Sequence, residues 1–117
     1  MTPIKPIDFG KSGPKVSNLH KGLLFLIINQ DGISPGDRES LQKQLAPDVR
    51  KQFFGEATRR LLGMWQVLLT QRTDLPKSLA DKVRSLPMTP TGGKGQLDDI
   101  TAEALNWVLR KMGALAK

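Results

Sequence analysis

The sequence predicts an all-α domain. Apolar residues recur at helical spacing in several stretches, alternation of apolar and polar residues is scarce, and proline and glycine cluster between the periodic stretches. With 117 residues, 38% of them hydrophobic, the chain has room for one such domain with a modest core.

Residues 1–13, with Pro3, Pro6, Gly10 and Gly13, have turn chemistry and no sustained period. They read as an N-terminal arm that Ile4, Ile7 or Phe9 can pin to the domain formed by residues 14–117. Val16, Leu19, Leu23, Leu26 and Ile27 then predict a first helix over 14–29, with Pro14 at a first-turn position where its missing N–H does no harm. Gly32, Pro35 and Gly36 break it. A short polar helix is expected over 37–45, anchored by Leu41 and Leu45, and a separate helical turn over 48–54 after Pro47 restarts the chain. Leu61, Leu62, Trp65, Leu68 and Leu69 predict the best-buried helix, over 56–71. Leu79, Val83 and Leu86 mark a further short helix. The run 87–95, rich in proline and glycine, is expected to be a mobile loop without strands. A last helix over 100–114 should bury Leu105, Val108, Leu109 and Met112, with Asp98 or Asp99 as its cap.

Eighteen Lys and Arg against eleven Asp and Glu give a formal charge of +7, which favours an acidic partner: nucleic acid, an anionic membrane surface or a wall polymer. Nucleic acid ranks last, because neither a helix-turn-helix nor a helix basic enough to track phosphates is recognisable. The longest apolar run, Leu23 to Ile28, is too short to span a bilayer, and residues 1–10 have no signal-peptide core. The chain has no cysteine and one histidine, His20, so thiolate or multi-histidine metal sites are excluded and no cofactor is expected. His20, between Asn18 and Lys21, reads as a surface or half-buried residue. Gly92-Gly93-Lys94-Gly95 lacks the helix and hydroxyl that a phosphate loop needs, and helix capping accounts for Asp98 and Asp99. No catalytic centre is read, and the chain is expected not to be an enzyme.

Two segments echo each other without gaps: Phe54-Gly55-Glu56-Ala57-Thr58 and Leu97-Asp98-Asp99-Ile100-Thr101. Each has an apolar anchor, a turn residue and a threonine four positions on, followed by an apolar helix face. The physical sense is a tight entry turn and a first helical turn whose threonine bonds local backbone. With Val16, Leu19 and Leu23 in the first helix, Phe54-Gly55-x-x-Thr58 leading to Trp65-Gln66, and Gly95-x-Leu97-Asp98-x-x-Thr101-Ala102 leading to Leu105-Asn106, the chain resembles the peptidoglycan-binding domain family. The likeness covers most of the chain from Gly13 onward. It departs in a longer connection before Phe54, in Trp65 where the family has Phe, and in an added helix between Leu75 and Leu86. The resemblance implies a three-helix bundle with additional short helices, a non-catalytic module that holds peptidoglycan or a related wall polymer, and work outside the cell or in the periplasm.

The ligand-binding candidates are Arg59, Arg60, Gln66, Asn106 and Trp107. Arg50, Lys51, Arg59 and Arg60 flank the Phe54-Gly55 turn, where an arginine fork can grip a carboxylate or phosphate, against the default of solvated helix surface. Gln66 and Asn106 offer amides to a glycan or peptide, though Gln66 beside the core aromatic equally suits bonding to loop backbone. Trp107 sits about 200° around its helix from Leu105 and so points away from the apolar stripe. It suits stacking on sugars or docking a partner, or it is covered by the added helix or the arm. The alternative function is a protein-interaction or structural module within a larger exported or toxin-like polypeptide.

Overall fold

The computed structural model describes residues 1–90 and 92–115, and among these it is mostly helical. Five helices, α1 (Pro14–Asn29), α2 (Pro35–Lys51), α3 (Glu56–Gln71), α4 (Lys77–Arg84) and α5 (Asp99–Lys111), are joined by one two-residue hairpin, β1 (Met88–Thr89) with β2 (Gly92–Gly93). Successive helices pack in chain order, and β2 lies against α3. No helix among the described residues is long and apolar enough to cross a membrane.

The core is a single cluster to which α1 gives Val16, Leu19, Leu23, Leu26 and Ile27, α3 gives Leu61, Leu62, Trp65 and Leu69, and α5 gives Ala104, Leu105, Val108 and Leu109. These are the residues whose 3.6-residue spacing sets the helical pattern. Leu79 and Val83 of α4 are buried with them, and Met112 is only partly buried.

Four segments differ from expectation. The short helix and the separate turn around Pro47 are one continuous helix, α2. It starts at Pro35 because the Ser34 hydroxyl accepts from the Asp37 N–H (3.1 Å). It runs through Pro47 because Leu45 and Asp48, on either side of the proline, are both buried, while Lys43, whose carbonyl loses its partner, is exposed and open to water. The helix ends where Gln52 turns left-handed (φ 50°). The glycine-rich run that follows α4 is an antiparallel hairpin on α3 rather than a free loop, residue 91 lying outside the described residues. It sits so close that a Cβ on Gly63 would stand 2.5 Å from the Gly93 carbonyl oxygen. α5 stops at Lys111. Gly113 (φ 86°) lets the Gly113 N–H reach the Arg110 carbonyl and the Ala114 N–H reach the Leu109 carbonyl, which closes the helix. Finally, His20 is fully buried at 1% exposure. It lies within the apolar face of α1, beside Leu19 and Leu23, where the polar neighbours in sequence do not reach.

The arm is tied along its length. Asn106 clasps Ile4 with both ends of its amide, Oδ1 accepting from the Ile4 N–H (2.7 Å) and Nδ2 donating to the Ile4 carbonyl (2.8 Å). Further on, the Ile7 N–H donates to the Leu97 carbonyl, and the Gly10 N–H and the Lys11 carbonyl pair with Phe54. The arm therefore crosses both of the echoing entry turns before entering α1, which fixes the placement of Phe9.

Candidate functional site

The echoed turns are built alike. Thr58 and Thr101 are both fully buried, and each is held by a polar side chain on an earlier helix: His20 of α1 for Thr58 (2.9 Å) and Gln66 of α3 for Thr101 (3.0 Å). Asn106 of α5 closes the series on Ile4 of the arm. Residues 20, 66 and 106 thus join α1 to α3, α3 to α5 and α5 to the arm through buried hydrogen bonds.

The caps differ between the two turns. Asp98 caps α5 from its own turn, accepting from the Thr101 N–H (2.7 Å). At α3, Gly55 has no side chain, and the cap comes from α2: one oxygen of Asp48 accepts from the Gly55 N–H, the Thr58 N–H and the Thr58 hydroxyl at 3.2, 3.0 and 2.7 Å. The Thr58 hydroxyl has a single hydrogen, and Asp48 takes it, so the contact with His20 is one in which the histidine Nε2–H donates. The other ring nitrogen, Nδ1, is buried without a partner among the described residues. Buried polar atoms placed this deep meet no substrate, so the Asp48, Thr58 and His20 chain braces the fold.

Burial lowers the His20 pKa, and attraction to Asp48 opposes that shift only in part. The unfolded chain therefore takes up this proton at higher pH than the folded one. The stability it confers is complete above the ordinary histidine value of about 6.5 and is lost as pH falls from there through the lower folded value. Urea unfolding should give a lower free energy at about pH 5.5 than at about pH 7.5. In His20→Gln, whose amide can still donate to Thr58, that difference should shrink; an equal pH dependence in both chains would remove His20 as its source.

Gln66 is equally committed. Its amide nitrogen donates to the Gln96 carbonyl and to Thr101 (both 3.0 Å), and its oxygen accepts from the Gly95 N–H (2.9 Å). Gln66 and Asn106, at 2% and 8% exposure, thus spend their amides on the chain's own groups and offer none to a ligand. Trp107 is half-buried against the core, with the Lys111 ammonium 5.2 Å from its ring centroid. It lies on α5, away from the arginine candidates on α3.

Arg59 and Arg60 do line an open groove of about 1,200 Å³, bounded by the exposed face of α3, the hairpin segment and the arm. Phe9 forms one side. Its ring, 56% exposed, meets Phe54 edge-on at 6.1 Å and carries the Arg59 guanidinium 5.6 Å from its centroid. Glu56 accepts from Arg59 and stands 3.7 Å from Arg60, and its pKa is lowered, by the Arg59 hydrogen bond first. Lys94 reaches the same groove from the hairpin side, so three cations face one carboxylate. Met64 and Val67 give an apolar floor, and Gln71, Thr89 and Gln96 add polar groups. Arg50 and Lys51 do not line it. Phe9 and Lys94, missed as site residues, belong to segments that come to α3 only through tertiary contacts. Among the described residues no three His, Asp or Glu gather where a metal ion could be held.

Comparison with protein-family models, with curated proteins and with solved structures finds nothing that matches this chain.

Proposed function

We propose that this protein is a non-catalytic module that holds a cell-wall polymer, peptidoglycan or a related glycan, in the groove along α3, and that it works outside the cell or in the periplasm. The observation that carries this reading is the pairing of an exposed aromatic ring, Phe9, with an excess of cations, Arg59, Arg60 and Lys94, in one open groove. An aromatic face suits the C–H surface of a sugar ring, and guanidinium or ammonium groups suit carboxylates on a wall polymer. The resemblance to the peptidoglycan-binding domain family adds weight. The residues that carry it lie on α1, on α3 and α5, and in the turns that enter α3 and α5.

Co-sedimentation with purified sacculi tests the reading. The wild-type chain should pellet at physiological salt, and Phe9→Ala should weaken binding about five- to tenfold. Arg60→Ala with Lys94→Ala should weaken it further and flatten its salt dependence. Trp107→Ala, outside the groove, should bind as the wild type does. If no chain pellets, the protein-interaction reading replaces this one.

A further inference from the structure

Arg50 and Lys51, which do not line the groove, belong to a second group of cations. The arm and the chain leaving α2 run antiparallel through the bridge between Ser12 and Phe53, where the Gly13 N–H donates to the Gln52 carbonyl (2.9 Å) and the Phe54 N–H to the Lys11 carbonyl (2.8 Å). Lys11, Lys15, Arg50 and Lys51 all lie within two residues of the hydrogen bond between Gly13 and Gln52, and all are exposed. None of the four has an ion pair among the described residues. The carboxylates nearest to them in the chain are committed elsewhere, Asp48 to the entry turn of α3 and Glu56 to Arg59 and Arg60, so only the exposed Asp8 offsets their charge.

Helix stability accounts for half of the group. Arg50 and Lys51, in the last turn of α2, meet the negative end of its dipole, but Lys15, in a first turn of α1 that holds no acid, meets the positive end and is placed unfavourably. Nor does the patch offer an open ring to a sugar, since Phe54 is buried and Phe53 half-buried. What it presents is charge. It adjoins the groove, because Phe9 and Lys11 are two residues apart, about 7 Å at most, and both meet Phe54. A polymer that extends from the groove over Phe9 reaches these cations. Carboxylates set far apart along a glycan would engage them singly, whereas a phosphate at every repeat engages several at once and releases the counterions of each.

We infer that Lys11, Lys15, Arg50 and Lys51 form a contact surface for a phosphodiester wall polymer, a chain of polyols or sugars joined through phosphates, continuous with the groove. The inference rests on the wall-polymer reading and names the charge that the polymer carries.

The test is co-sedimentation of the full chain with two wall preparations, one that keeps its phosphodiester polymer and one stripped of it by hydrofluoric acid. The wild type should bind the stripped walls about tenfold more weakly. On native walls, Lys11→Gln with Lys15→Gln, and separately Arg50→Gln with Lys51→Gln, should each weaken binding and lower the slope of log affinity against log salt by roughly one per charge removed. On stripped walls both pairs should bind as the wild type does. Urea midpoints confirm that each variant is folded, and the Lys11 and Lys15 pair, which removes no favourable dipole contact, keeps the test decisive if the other pair is destabilised. Equal pelleting with both preparations, or native-wall binding unchanged in the folded variants, overturns the patch and leaves the wall reading standing. Pelleting with neither overturns both. A DNA duplex bound more tightly than native walls at equal phosphate concentration overturns the wall polymer as the partner and puts nucleic acid in its place.

Discussion

Replacing Asp48 with alanine is expected to lower the unfolding free energy by about 3 kcal/mol, although the residue lies outside every helix-start signal of α3. Its carboxylate satisfies three donors at the entry to α3, two backbone N–H groups and the Thr58 hydroxyl, and both Gly55 and Thr58 are buried. Water cannot replace those bonds without opening the turn, so the loss combines a helix cap with unpaired buried donors. Because Thr58 would then be free to donate elsewhere, the His20 contact would also lose its fixed tautomer. Asp48→Asn keeps one acceptor oxygen and should fall between the wild type and Asp48→Ala. Urea unfolding at neutral pH decides it, and equal midpoints for Asp48→Ala and wild type would show that α3 does not depend on its cap from α2.

Gly95→Ala should be nearly as costly, about 3 kcal/mol, for a different reason. Gly95 has φ 74°, a conformation that an L side chain adopts with strain, and an added Cβ would stand 2.1 Å from the Arg59 carbonyl oxygen. Backbone of a buried helix cannot give way as a flexible side chain can. The hairpin segment would have to lift from α3, which breaks the Gly95 to Gln66 hydrogen bond and moves Lys94 and Gln96 in the groove. A lower thermal midpoint should therefore come with weaker sacculus binding at temperatures where the variant is folded. Gly36→Ala is the control: its Cβ would enter open space in the first turn of α2, and stability should be unchanged or higher by about 0.5 kcal/mol. A Gly95→Ala chain as stable as the wild type would mean that the hairpin segment is not clamped to α3.

The mostly helical fold was written in the sequence because the apolar residues of α1, α3 and α5 repeat with the period of the helix they form, so α1 and α3 could be bounded without any tertiary information. The cap at Asp98 is likewise local chemistry and was read as such, whereas the cap at Ser34 and the closing turn at Gly113, equally local, were missed. The continuity of α2 was not, because propensity stops a helix at Pro47, whereas burial of Leu45 and Asp48 on both sides carries it through. The candidate site divides in the same way. Arg59 and Arg60 were legible as an exposed basic pair on a helix whose apolar face was already assigned. The roles of Gln66 and Asn106 depended on where the hairpin segment and the arm arrive, and burial turned both amides from candidate ligand groups into internal fasteners. The depth of His20 follows from the helical phase it shares with Val16 and Leu23 and from its neighbour Leu19, a signal outweighed by its polar side chain and by Lys21 beside it. Phe9 and Lys94 do their work across long stretches of chain, and Asp48 across the turn between α2 and α3: the arm, the hairpin segment and α2 reach α3 through contacts that no helical period encodes. Periodicity fixes which face of a helix is buried, and only the packed structure decides what is set against it.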